Sequence, residues 1–299
     1  MADVICAVDS KNTLGEGPVW CPVEQALYWV DIDVLKPSIN RWYPATNQHE
    51  RWDMPEYVTA LALREQGGLL VAGRSGLSYF DPQTGDLKTI VHPDADNPQN
   101  RYNDGKCDCK GRFWVGSMQN NMDDQGGDIP ITENSGSLFR LDPDGTCQQM
   151  DTGFGISNTF AWSLDNKTMY FGDSLDAIYA YDFDFETGSI GNRRDFFRLE
   201  ERGVPDGSTI DAEGYLWNAR WDGHCIVRIA PDGTLDRVID MPAQKITSCM
   251  FGGANLDVLY MTSARQGLTD RDLVDQPEAG GIFAVDVGVR GLPEARFGG

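Results

Sequence analysis

The chain reads as an all-β protein, a single six-bladed β-propeller spanning residues 1–299. Three observations predict it: one strand pattern recurs six times, its interval fits a four-stranded unit, and the two chain ends complete one unit between them. The pattern is ALYWVDI at 26, GGLLVAG at 67, GRFWVGS at 111, KTMYFGD at 167, EGYLWNA at 213 and DVLYMTS at 257. With Leu27, Leu69, Phe113, Met169, Leu216 and Leu259 as anchors, the spacings are 42, 44, 56, 47 and 43 residues.

A second strand follows each anchor, and in three units, as in SLFRLDPDG and CIVRIAPDG, it ends on Asp-Pro or Pro-Asp-Gly turn signals. A more polar strand then trails it, such as DLKTIV or LDRVID. With the strand that precedes each anchor, the unit has four short strands, the blade of a propeller. The sixth unit ends without room for its last strand, and the first is preceded by VICAVDS. The N-terminal segment is therefore expected to complete blade six and cover its open edge. A β-sandwich would not repeat one four-strand motif six times. Helical periodicity is confined to GLTDRDLVDQ, 267–276, and the long third interval holds a Gly- and Asn-rich loop at 119–136.

Composition limits the partners. With 46 acidic against 25 basic residues, the net charge is −21, a field that repels phosphate backbones and anionic lipid. Nucleic acid and membrane are excluded as partners, while cations and neutral small molecules are not. The seven cysteines are odd in number and form no CxxC pair, and the three histidines are scattered. A zinc finger is therefore not expected, and free thiols in a reducing compartment are. The N-terminus lacks a basic segment followed by an apolar core, and no run of 18 apolar residues occurs. A cytoplasmic monomer or weak oligomer is the expectation.

In a propeller the innermost strands surround a channel, so equivalent positions converge at one end of it. Counting back 10 or 11 residues from each anchor gives Glu16, Thr59, Asn103, Asn158, Asp206 and Ser248. Asp and Asn also cap strand ends, but matched offsets on unrelated stretches point to a shared site. Glu16, Asn103, Asn158 and Asp206 supply carboxylate and amide oxygens, a donor set for a hard divalent cation. No histidine or cysteine joins the ring, which argues against a soft-metal site.

The segments LGEGPVW (14–20), RYNDGKCD (101–108), GRFWVGSM (111–118), ISNTFAWSLD (156–165), PDGSTIDAEGYLW (205–217) and FGG followed by LYMTSAR (251–265) resemble the SMP-30/gluconolactonase/regucalcin family. The resemblance runs through essentially the whole chain in order. It implies a six-bladed propeller with one divalent ion in the channel (calcium, zinc, manganese, magnesium or ferrous iron) and hydrolysis of sugar lactones to aldonic acids. Arabinono-, xylono- and gluconolactone are the candidate substrates. Carried over by motif, the resemblance makes Glu16, Asn158 and Asp206 the metal ligands and turns Arg101 and Asn103 toward substrate. One departure stands out: vertebrate members carry an acid three residues after the GTM-like motif, and here that residue is Asn121.

Lactone hydrolysis needs a water nucleophile and a stabilised oxyanion, and a divalent ion serves both. Asp206 is the candidate general base, while the planar fork of Arg101 and the amide of Asn121 suit ring hydroxyls. Hydrolysis of another ester or a phosphotriester, and a non-enzymatic calcium-binding propeller, stay open as alternatives. No GxSxG elbow and no Gly-rich phosphate loop compete with these readings.

Overall fold

The structure, a computed structural model, describes residues 3–299; the first two residues of the N-terminal stretch considered above lie outside the described residues. Six four-stranded antiparallel sheets form the blades of a six-bladed propeller. The inner strands are Gly15–Cys21, Val58–Leu63, Asn100–Cys107, Ser157–Trp162, Val204–Ile210 and Ile246–Gly252. They sit against neighbouring blades and are largely buried on both faces, so VTALAL at 58–63 is apolar without strict alternation. Outer strands have one face in solvent, and QHERWD at 48–53 is mostly exposed or half-exposed.

Blade six closes the ring as the sequence requires. Ile5–Val8 pairs antiparallel with Ile282–Val285, the third strand of that blade, and becomes its outer strand. The helical periodicity at 267–276 becomes a helix at Asp270–Asp275, started by a capping box in which Thr269 and Asp272 satisfy each other's backbone N–H groups.

Two hairpins are fastened in the same way. In Asp108-Cys-Lys-Gly-Arg-Phe-Trp114, Asp108 accepts from the N–H groups of Lys110 and Arg112, the Trp114 indole at 2.9 Å and Arg112 Nε at 2.6 Å. In Asp211-Ala-Glu-Gly-Tyr-Leu-Trp217, Asp211 accepts from Glu213 and Tyr215 N–H, the Trp217 indole at 2.8 Å and Arg228 Nε at 2.9 Å. Each buried carboxylate thereby saturates a tight turn and anchors a tryptophan in the core.

Each inner strand carries a bulge at one common level, at Glu16/Val19, Val58/Ala60, Tyr102/Gly105, Asn158/Phe160, Pro205/Ser208 and Ile246/Ser248. Bulges re-aim side chains, and these sit where the channel wall turns polar. Four residues before the residue that faces each anchor lie Glu16, Thr59, Asn103, Asn158, Asp206 and Thr247. Blade six therefore departs from expectation: Thr247, not Ser248, occupies this level. Phe251 faces Leu259 eight positions on, against six or seven in the other blades, so the longer hairpin displaces the count by one. In a strand that displacement turns a side chain to the opposite side.

Residues 290–299 cross the far end of the channel. Ala212 and Glu65 donate to the carbonyls of Arg290 and Phe297, while Gly291, Phe297 and Gly298 donate to those of Leu256, Leu63 and Gly111. Between these ties, Glu294 reaches into the channel and pairs with Lys106 at 3.4 Å.

Candidate metal centre and binding cavity

Glu16, Arg101, Asn103, Asn121, Asn158 and Asp206 all line one cavity of about 250 Å³. The remaining two positions from the offset count do not. Thr59 is buried and donates to the Ala72 carbonyl at 3.4 Å, and Ser248 lines a small separate chamber with Asp104 and Lys106.

The amides are fixed by one another. Asn103 Nδ2 donates to Asn158 Oδ1 and to the Ser157 carbonyl, both at 2.9 Å. Asn158 Nδ2 donates to Ser174 Oγ at 2.8 Å, and that hydroxyl donates to the Pro205 carbonyl at 2.6 Å. The Asn158 carbonyl oxygen keeps a free lone pair in the cavity wall. Asp206 is held through its main chain, whose carbonyl accepts from Thr159 Oγ1 at 2.5 Å and Asn218 Nδ2 at 2.9 Å.

Arg101 is nearly spent on its own neighbours. Its Nε and Nη2 donate to Asn121 Oδ1 at 3.1 and 3.0 Å, and its Nη1 donates to Asn103 Oδ1 at 2.7 Å and the Tyr102 carbonyl at 2.8 Å. Of five N–H groups, one on Nη2 is uncommitted. Asn121 thus takes the guanidinium fork where an acid would have neutralised it.

The electrostatics are those of carboxylates held close together out of water. Burial first, then the Asp104 carboxylate, pushes Glu16 up to about 8. Burial also lifts Asp206 well above the ordinary carboxylate range, helped by the charges of Glu16 and Asp104. Arg101 is brought down to about 10 by desolvation, against the pull of Tyr57, Glu16 and Asp206. Asp206 Oδ1 is buried with no hydrogen-bond partner, a costly state for a carboxylate oxygen. A divalent cation against Glu16, Asp206 and the Asn158 carbonyl satisfies that oxygen and offsets the carboxylate repulsion. These residues therefore fit the implied group. No cluster of three or more His, Cys, Asp and Glu side chains able to hold a metal occurs among the described residues; Glu16 and Asp206 would need the Asn158 amide oxygen as a third donor.

Sequence reasoning missed part of the wall. Ser174, Trp221, Lys245 and Gln266 also line the cavity, as does Asp128 from the 119–136 loop. Trp221, Lys245 and Gln266 lie outside the repeated pattern, so no offset rule finds them.

The chain matches the SMP-30/Gluconolactonase/LRE-like region over residues 14–265. It belongs to that family. Regucalcin of Xenopus laevis is 37% identical over 298 residues, covering 98% of each chain. Among solved structures, a luciferin-regenerating enzyme superposes with a TM-score of 0.91 at 30% identity over 100% of both chains. A calcium-binding protein, regucalcin, from Agrobacterium tumefaciens gives 0.89 at 28% identity, covering 97% of this chain and 95% of that one. Within this family fold, no helix among the described residues is long and apolar enough to cross a membrane.

Proposed function

We propose that the protein is a divalent-metal-dependent hydrolase that opens sugar lactones to aldonic acids. The observation that carries this is the convergence of Glu16, Asn158 and Asp206 on one cavity with Asp206 Oδ1 unpartnered. The family's gluconolactonase description and the calcium-binding description of the Agrobacterium relative support the same assignment of chemistry and cofactor.

Glu16, Asn158 and Asp206 would hold the ion, which supplies positive charge that polarises the ester carbonyl and acidifies the attacking water. Asp206 takes the proton from that water as its oxygen adds to the carbonyl carbon. It then returns the proton to the ring oxygen when the ring C–O bond breaks, leaving a hydroxy acid. Asn103 is a positioning residue, since both ends of its amide are engaged by Arg101, Asn158 and Ser157. The uncommitted Nη2 hydrogen of Arg101 and the Asn121 amide hydrogens orient the sugar hydroxyls.

The test is a pH-indicator assay over a lactone panel, with and without chelator. Five- and six-carbon aldonolactones should turn over with kcat/KM at least about 100-fold above γ-butyrolactone or phenyl acetate, because polar wall groups are left unpaired by hydroxyl-free analogues. Chelator should abolish the reaction. Equal rates on γ-butyrolactone, or cleavage of phosphotriesters alone, overturn the lactone assignment. Cation binding with no turnover on any ester leaves a calcium-binding propeller.

A further inference from the structure

Beside Glu16, Asn158 and Asp206 the cavity is also lined by Trp221, Lys245, Asp128 and Gln266. Lys245 is the unusual member. Its side chain is only 12% exposed, yet its sole ion pair is with Asp222 Oδ1 at 3.4 Å. Nζ lies over the Trp221 ring, 4.2 Å from its centroid. No hydrogen bond from Nζ is formed among the described residues, so beyond the Asp222 pair and the Trp221 face the ammonium keeps donor capacity for what enters the cavity. Asp128 offers the complementary group. Its Oδ1 accepts from Gln266 Nε2 at 2.7 Å, which pins the 119–136 loop to blade six and leaves Oδ2 unengaged. Lys245 Nζ and Asp128 Oδ2 both flank Gly267, 3.5 and 3.6 Å from where a Cβ on that residue would stand, and both residues line the cavity. They make no ion pair with each other.

A donor and an acceptor close together on the lining of one cavity suit a hydroxyl, which accepts from the ammonium and donates to the carboxylate. The half-buried Trp221 ring gives carbon-bound hydrogens an apolar surface beside them. We propose that Lys245, Asp128 and Trp221 form a distal subsite that binds the hydroxylated exocyclic tail of the lactone. The site then favours six-carbon over four-carbon sugar lactones. This rests on the hydrolase assignment above for its substrate class, but the binding itself does not require turnover. A side chain at Gly267 would stand against both groups, and its φ of +69° holds that position in the conformation that favours glycine.

The experiment compares wild type with Lys245→Met, which keeps an unbranched stem on Trp221 and removes the charge, and with Asp128→Ala. The ligands are γ-lactones of six-carbon and four-carbon aldonic acids, the first with two exocyclic hydroxyls and the second with none, and the matching lactams. Binding of the lactams is measured by calorimetry with calcium present. Lys245→Met should weaken the six-carbon lactam about tenfold and raise KM for the six-carbon lactone similarly. The kcat, calcium affinity and four-carbon ligands should be unchanged, and Asp128→Ala should repeat the pattern. Equal losses on both ligand sizes, no loss on either, or no lactam binding by wild type overturns the subsite. Lactam binding that keeps the Lys245 dependence without lactone turnover refutes the hydrolase assignment and leaves the subsite standing.

Discussion

At Glu16 the carboxyl sits near 8 rather than at its ordinary 4.5, because burial and the Asp104 charge both oppose ionisation. An unfolded chain releases this proton near 4.5 and the folded one holds it to about 8, so the folded state binds the extra proton between those values. Stability of the metal-free protein should therefore be highest below about pH 4.5 as far as Glu16 is concerned, and fall as pH rises to about 8. The slope for one proton is at most about 1.4 kcal/mol per pH unit. Urea titrations across that range should show the decline, Glu16→Gln should lessen it, and saturating calcium should flatten it, since buried Asp206 also holds its proton above the ordinary range. For the same reason calcium should bind more weakly as pH falls through 8, with proton release on binding. Asp206→Asn keeps an oxygen ligand and removes the base, so turnover should drop about 100-fold or more while calcium affinity falls far less. Near-full turnover in that variant removes Asp206 from the base role. At this scale the sequence was legible wherever a residue sat in a repeated motif, as Glu16, Asn158 and Asp206 do. It was silent on Arg101's engagement with Asn121, which depends on how the chain turns just past Gln119 in the same blade, and on Lys245, which lies outside the repeated motif.

The strand hairpin is the next scale, and the Asp211 clasp shows what it contributes. Asp211 has no solvent exposure and Arg228 little, and the carboxylate accepts from the Trp217 indole, Arg228 and two turn N–H groups. Asp211→Ala leaves the indole and both turn N–H groups without their acceptor, while Arg228 keeps Glu213 and Asp236, and should cost about 3 kcal/mol in urea unfolding. Asp211→Asn, which keeps the acceptor oxygen, should cost less. The strand order of a blade was readable from its turn signals and trailing polar strand. The aim of each inner-strand side chain was not, since it depends on hairpin length and on the bulge. The one-residue difference at Phe251 and Leu259 moved the expected position in blade six from Thr247 to Ser248.

In the whole molecule the ring is closed by hydrogen bonds between Ile5–Val8 and Ile282–Val285. Deleting residues 1–8 opens an edge beside the fully buried Ile282 and Phe283, and should lower the Tm of the entire protein by about 5 °C or more. Unchanged melting would show that closure contributes little. Ring closure was legible because it follows from counting strands. The strap of residues 290–299 was not, since it adds no strand to any blade and carries no periodic signal. That strap turns a tunnel into a well. With Glu294 paired to Lys106 at that end, a ligand in the Glu16 cavity has the opposite end of the channel as its way in and out. A chain cannot be threaded past the strap, so a long molecule can offer the cavity only one of its ends.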